Sequence, residues 1–90
     1  MGNMIDDLIK KSVVDLFGED KCGDSVTIEQ TKKSFIGDIT IICFPLVKWS
    51  KSSPENTAQI IGDHLLSKES CFQDYNVVKG FLNLTIKKSF

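Results

Sequence analysis

The feature that most constrains this chain is the alternation in Gly80-Phe81-Leu82-Asn83-Leu84-Thr85-Ile86-Lys87. Successive side chains of a strand point to opposite faces. Leu82, Leu84 and Ile86 therefore form an apolar row for a core, and Phe81, Asn83, Thr85 and Lys87 line the other face together. A strand with one apolar and one mixed face belongs to a sheet covered on one side only. With 90 residues the chain can build one modest core and no more.

The remaining segments supply the other elements. Ile5, Leu8, Ile9, Val13, Leu16 and Phe17 recur at helical spacing, which predicts a helix over Asn3–Phe17. Asn3 is placed to cap it, Asp6 and Asp7 sit in its first turn, and Gly18 suits its end. Glu19–Ser25 reads as a loop, and Val26–Glu29 as a half-buried strand. Phe35-Ile36-Gly37-Asp38 reads as a turn before the β-branched strand Ile39–Phe44, which Pro45 ends. Lys48–Ser53 reads as a polar connection. Ser53-Pro54-Glu55 then starts a second helix running to about Ser67, with Ala58, Ile61, Gly62 and Leu65 on one face. Tyr75–Lys79 and Phe81–Lys87 are two strands around Gly80. The order α-β-β-α-β-β predicts an α+β two-layer sandwich, with two helices on one face of a four-stranded sheet and the other face open.

Composition excludes several classes of function. No run approaches the ~20 apolar residues of a membrane-spanning helix, and no secretory signal is visible, so a cytoplasmic protein without a membrane partner is expected. Met1-Gly2 is not a myristoylation signal, because Asp6 stands where serine or threonine is required. Cys22, Cys43 and Cys71 are odd in number and far apart, which fits reduced thiols and neither a disulfide framework nor a zinc site. His64 stands alone on the second helix, and a catalytic histidine needs a partner. Lys48-Trp49-Ser50-Lys51-Ser52 differs at one position from the KMSKS loop of class I aminoacyl-tRNA synthetases. That loop works beside a nucleotide-binding parallel sheet, for which the chain has neither a glycine-rich phosphate loop nor the length. No catalytic constellation, metal site or cofactor is expected in this chain.

A binding role is the alternative, and charge is distributed unevenly. The net charge is −1, but acids crowd the first quarter. Lys32, Lys33, Lys48 and Lys51 face only Asp38 between residues 30 and 51, and Lys79, Lys87 and Lys88 face no acid in the last segment. An aromatic ring stacks on an unpaired base and an amide bonds its edge, so Phe81 and Asn83 are candidate RNA-reading groups. Lys79, Lys87, Lys48 and Lys51, with Lys32 and Lys33, are candidate phosphate contacts. A protein-interaction domain that uses the open sheet face and Trp49 is the second reading.

Several segments in register resemble one family. They are Ile28-Glu29-Gln30-Thr31-Lys32, Phe35-Ile36-Gly37-Asp38-Ile39-Thr40, Phe44-Pro45-Leu46, Ser53-Pro54-Glu55-Asn56-Thr57-Ala58 and Val77-Val78-Lys79-Gly80-Phe81-Leu82-Asn83-Leu84. Together they resemble the N-terminal additional domain of bacterial arginyl-tRNA synthetases. Val78-Lys79 stands where many members carry glycine-proline, and Ile36 separates Phe35 from the glycine-aspartate pair. The resemblance implies the same α-β-β-α-β-β core. It implies a tRNA-binding domain, here residues 1–90, that is part of a longer arginine–tRNA ligase. It also implies docking on the D-loop at the outer corner of tRNA(Arg), with Phe81 and Asn83 at the contact. Partners are then tRNA(Arg) and the rest of the synthetase chain, with no DNA partner, and ATP would be bound by the absent catalytic domain.

Overall fold

The computed structural model describes residues 4–18, 25–31 and 36–87. Helix α1 spans Met4–Phe17 and turns Ile9 and Val13 fully inward, with Ile5, Leu8, Leu16 and Phe17 packed around them. Asp6 and Asp7 occupy its first turn, where the helix dipole favours acids. Gly18 closes it at φ 74°, a left-handed conformation that glycine adopts without a Cβ penalty, and its N–H donates to the Val14 carbonyl at 2.7 Å. The expected Asn3 cap, most of the Glu19–Ser25 loop, Cys22, Lys32, Lys33, Phe35 and Lys88 lie outside the described residues.

Strands β1 (Thr27–Gln30) and β2 (Ile39–Ile42) form an antiparallel pair. After a short helical passage the chain enters a long helix at Pro54, then strands β3 (Phe72–Val78) and β4 (Phe81–Ile86). The sheet order is β1-β2-β4-β3, antiparallel throughout, so the last strand inserts between β2 and β3. Register then sorts the faces. Ile28, Ile41, Leu82 and Val77 form one cross-strand row toward the helices, and Ile39, Leu84 and Tyr75 continue it. Thr27, Ile42, Phe81 and Val78, followed by Glu29, Thr40, Asn83 and Asn76, form the rows of the opposite face. The helices cover the first face only, which is the expected two-layer α+β arrangement.

The passage between β2 and the long helix differs from the expected extended strand and polar connection. Strand β2 stops at Ile42. The Cys43 N–H makes one further bond to the Gly80 carbonyl at 2.9 Å, and Phe44–Leu46 then turns as a 3-10 helix with Pro45 in its first positions. Proline has no N–H for a ladder, but its fixed φ suits the start of a helix. Helix α2 (Val47–Ser50) follows and ends at Lys51, which caps it in the left-handed region at φ 56°. This helical turn buries Leu46 and packs Trp49 on the core, and Lys48 lies over the Trp49 ring at 4.4 Å.

Helix α3 (Pro54–Lys68) begins as the serine-proline-glutamate signal predicts. The Ser53 Oγ accepts from the Asn56 N–H at 3.2 Å, and Pro54 follows it. Ala58, Ile61, Gly62 and Leu65 are all buried against the sheet, each large side chain contributing about 1.5–3 kcal/mol. Strand β3 starts three residues before the expected Tyr75 because Phe72 is buried opposite Ile86. A bulge between Phe72 and Asp74 interrupts the alternation there, and Asp74 accepts the Tyr75 N–H at 2.8 Å.

Candidate functional site on the open sheet face

The face away from the long helices, partly covered by turn 36–38 and Phe44, carries a groove of about 340 Å³. Thr40 and Asn83 form its buried floor. Phe81, Val78 and Lys79 bound it on the side of the β3–β4 hairpin, and Glu29 and Gln30 on the side of the edge strand. Three of the sequence-derived candidates, Phe81, Asn83 and Lys79, meet here. Lys48, Lys51 and Lys87 are exposed but do not line the groove, and Lys32 and Lys33 are outside the described residues.

Each wall has a local cause. Phe81 is half-buried and makes an edge-to-face contact with Phe44, ring centroids 5.6 Å apart at 77°. Phe44 in turn lies across Gly80, where an added Cβ would come within 2.7 Å of its ring and 2.8 Å of the Pro54 Cβ. The glycine thus permits the hairpin to approach both Phe44 and the start of α3. Lys79 occupies the hairpin turn at φ 57°, a left-handed conformation that a non-glycine residue adopts at an energetic cost. Lysine and glutamate at the two sides give the groove cationic and anionic rims.

Asn83 does not project freely. It is 1% exposed, lying beneath Gly37, whose added Cβ would come within 3.2 Å of the Asn83 Cβ. The Thr40 hydroxyl donates to Asn83 Oδ1 at 2.6 Å, and Asn83 Nδ2 donates to Asn76 Oδ1 at 3.0 Å. Asn76 Nδ2 donates to the Ile36 carbonyl at 2.7 Å, and Thr31 Oγ1 lies 2.9 Å from Thr40 Oγ1. Turn 36–38 is fixed from its other end as well. The Asp38 N–H donates to the Leu84 carbonyl at 2.8 Å, and Asp38 Oδ2 accepts the Ile86 N–H at 2.8 Å. Gly37 at φ 141° lets the turn lie flat on Asn83. Among the described residues no buried side-chain polar atom is without a hydrogen-bond partner.

Thr40, Glu29, Gln30 and Val78 were not singled out from sequence. The signal was present only in part, because Thr40 is the polar interruption in an otherwise apolar β2. Its place beside Asn83 follows from a register between strands 43 positions apart.

The two described cysteines belong to the core. Burial pushes the Cys43 thiol up to about 12, and Cys71 is shifted upward for the same reason, so neither is an activated nucleophile. Among the described residues no cluster of three or more histidine, cysteine, aspartate or glutamate side chains is placed to hold a metal ion, and no helix is long and apolar enough to cross a membrane.

A helix-backed antiparallel sheet with an aromatic, an amide and a lysine gathered on the face away from the helices defines a small two-layer α+β domain. Residues 3–86 match the Arginyl tRNA synthetase N terminal domain, and the chain belongs to that family. The arginine–tRNA ligase of Parabacteroides distasonis is 46% identical over 74 residues, covering 82% of this chain and 12% of that protein. That of Porphyromonas gingivalis is 48% identical over 71 residues, covering 79% of this chain and 12% of that protein. The chain thus spans about an eighth of the length of these relatives. The Thermus thermophilus arginyl-tRNA synthetase superposes with a TM-score of 0.69 at 19% identity, over 96% of this chain and 14% of that one, which establishes the shared fold.

Proposed function

We propose that this chain is the accessory tRNA-binding domain of an arginine–tRNA ligase, acting in the cytoplasm and docking on the D-loop at the outer corner of tRNA(Arg). The observation that carries the reading is the meeting of Phe81, Asn83 and Lys79 in one groove, in a chain of the arginyl-tRNA synthetase N-terminal family. In this reading an unpaired D-loop base enters the groove against Phe81, and the Asn83 amide reads its edge. Lys79 binds the adjoining phosphate, with Lys48, Lys51 and Lys87 as outer contacts. The chain performs no chemistry itself. Arginine, ATP and the acceptor end of the tRNA are bound by the remainder of the synthetase, and this domain contributes orientation and selectivity.

The test is a titration of the isotope-labelled chain with tRNA(Arg) at low and moderate salt, following backbone amide signals. Shifts centred on Lys79, Phe81 and Asn83 that fade steeply as salt rises are expected, because phosphate binding releases counterions. Shifts elsewhere, or none at saturating tRNA, overturn the reading. Salt-insensitive binding of a polypeptide to the same face would replace it with the protein-interaction alternative.

A further inference from the structure

We infer that Asn76 is a positioning residue that sets which way round the Asn83 amide meets the groove. The inference rests on the reading of Asn83 as a base-recognition group and adds how its specificity is fixed. An asparagine amide presents a donor at one end and an acceptor at the other, so a flip reverses what it recognises. Asn83 lies beneath Gly37 at 1% exposure with both ends of its amide bonded to the protein, so its orientation is set before a ligand arrives.

The orientation is forced by one group that only accepts. The Ile36 carbonyl lies 2.7 Å from Asn76 Nδ2, which therefore faces turn 36–38 and directs Asn76 Oδ1 toward β4. That oxygen requires a donor, so Asn83 turns its Nδ2 toward β3, at 3.0 Å. Asn83 Oδ1 is then directed toward β2, where the Thr40 hydroxyl donates to it at 2.6 Å. The Thr40 proton is thereby committed, which makes Thr31 the donor in the 2.9 Å contact between the two hydroxyls. The chain of bonds has one direction, and reversing any member sets two donors or two acceptors against each other. Asn76 also tethers one end of turn 36–38, so it contributes both to the cover over Asn83 and to the sense of its amide. Buried polar groups satisfied at every member in this way specify one arrangement.

The experiment uses the isotope-labelled chain and three variants, Asn76→Ala, Thr40→Val and Asn83→Ala. Each is titrated with tRNA(Arg) and with the same tRNA carrying a substituted D-loop base. Thr40→Val preserves volume and acts from the opposite side of the amide, which keeps the test available if Asn76→Ala loosens the turn. The side-chain amide protons of Asn83, which need no RNA to be observed, are expected to exchange slowly in the parent, fast in Asn76→Ala and at an intermediate rate in Thr40→Val, which keeps the bond to Asn76, with backbone protection at Leu82 and Ile61 unchanged. Discrimination between the two tRNAs is expected to fall about tenfold in Asn76→Ala and less in Thr40→Val, because affinity for the cognate tRNA falls more than affinity for the substituted one. A purely structural role would lower both affinities together. Persistent protection of the Asn83 amide in both variants overturns the inference. So does a released amide with discrimination intact, provided that Asn83→Ala abolishes it. If Asn83→Ala itself leaves discrimination unchanged, the base-reading role proposed above falls, and the positioning role with it.

Discussion

Gly62 lies against the ring of Tyr75 so closely that a Cβ at position 62 would stand 2.8 Å from the ring carbons. Alanine is the better helix former by about 1 kcal/mol, so helix propensity alone favours Gly62→Ala. The contact is with the root of the ring, which cannot swing away without moving β3, and overpacking of this kind costs about 1–3 kcal/mol. Gly62→Ala is expected to lower stability in urea unfolding, and Tyr75→Leu in the same background to recover part of the loss.

A second close approach involves the groove wall. Gly80→Ala would drive a Cβ into the Phe44 ring and into Pro54, of which the proline is rigid. The hairpin then has to lift away from α3, carrying Phe81 with it. A loss of about 1–3 kcal/mol is expected, with chemical-shift changes at Phe44, Phe81 and the Ser53–Asn56 cap. Unchanged shifts at Phe81 would show that the hairpin position does not depend on this glycine.

Tyr75, the only tyrosine, provides a pH-dependent reporter of the sheet–helix seam. Its hydroxyl donates to Asp63 Oδ1 at 2.6 Å, and this bond, with desolvation, raises the phenol from 10.0 to about 12. The folded-state value exceeds the unfolded one, so the contribution to stability is complete below pH 10 and is lost as pH rises through about 12. Phenolate absorbance should show the raised midpoint in the folded chain, and Asp63→Ala should bring it back toward the ordinary value. Tyr75→Phe should flatten the alkaline slope of stability.

Much of this architecture was legible because local signals and the core agreed. The stripe from Ile5 to Phe17, the serine-proline-glutamate start and the alternation after Gly80 each specified both an element and its buried face. The misses have physical causes. Phe44–Ser50 combines a proline with β-branched and aromatic residues, a mixture that carries no clear period, and tertiary contacts of Leu46 and Trp49 decide it as helical. The bulge at Gln73 concealed the first half of β3. Alternation placed Phe81 and Asn83 on one face correctly. It could not show that Gly37 covers Asn83, because that contact depends on a turn 46 positions away and on register across β2.

The groove predicts different consequences for its two kinds of polar residue. On the proposed reading Asn83→Ala should reduce discrimination at a D-loop base, and removing its amide strands the Thr40 and Asn76 partners, so a stability loss of about 1–3 kcal/mol should accompany it. Lys79→Ala should weaken tRNA binding evenly across sequences and reduce the salt slope by about one phosphate contact. Equal effects of both variants on cognate and base-substituted tRNA would remove the distinction between reading and anchoring.

The left-handed backbone at Lys51 and Lys79 has a further consequence. Each holds a long cation at a bend that glycine would occupy without strain, a difference of about 1–2 kcal/mol per residue. Lys51→Gly and Lys79→Gly are therefore stability gains available to the chain, measurable as a higher Tm. If the cations serve the RNA, those gains would come with weaker binding. On the proposed reading the two bends mark where thermal robustness and RNA affinity pull in opposite directions, and a screen for thermostability alone would remove both cations.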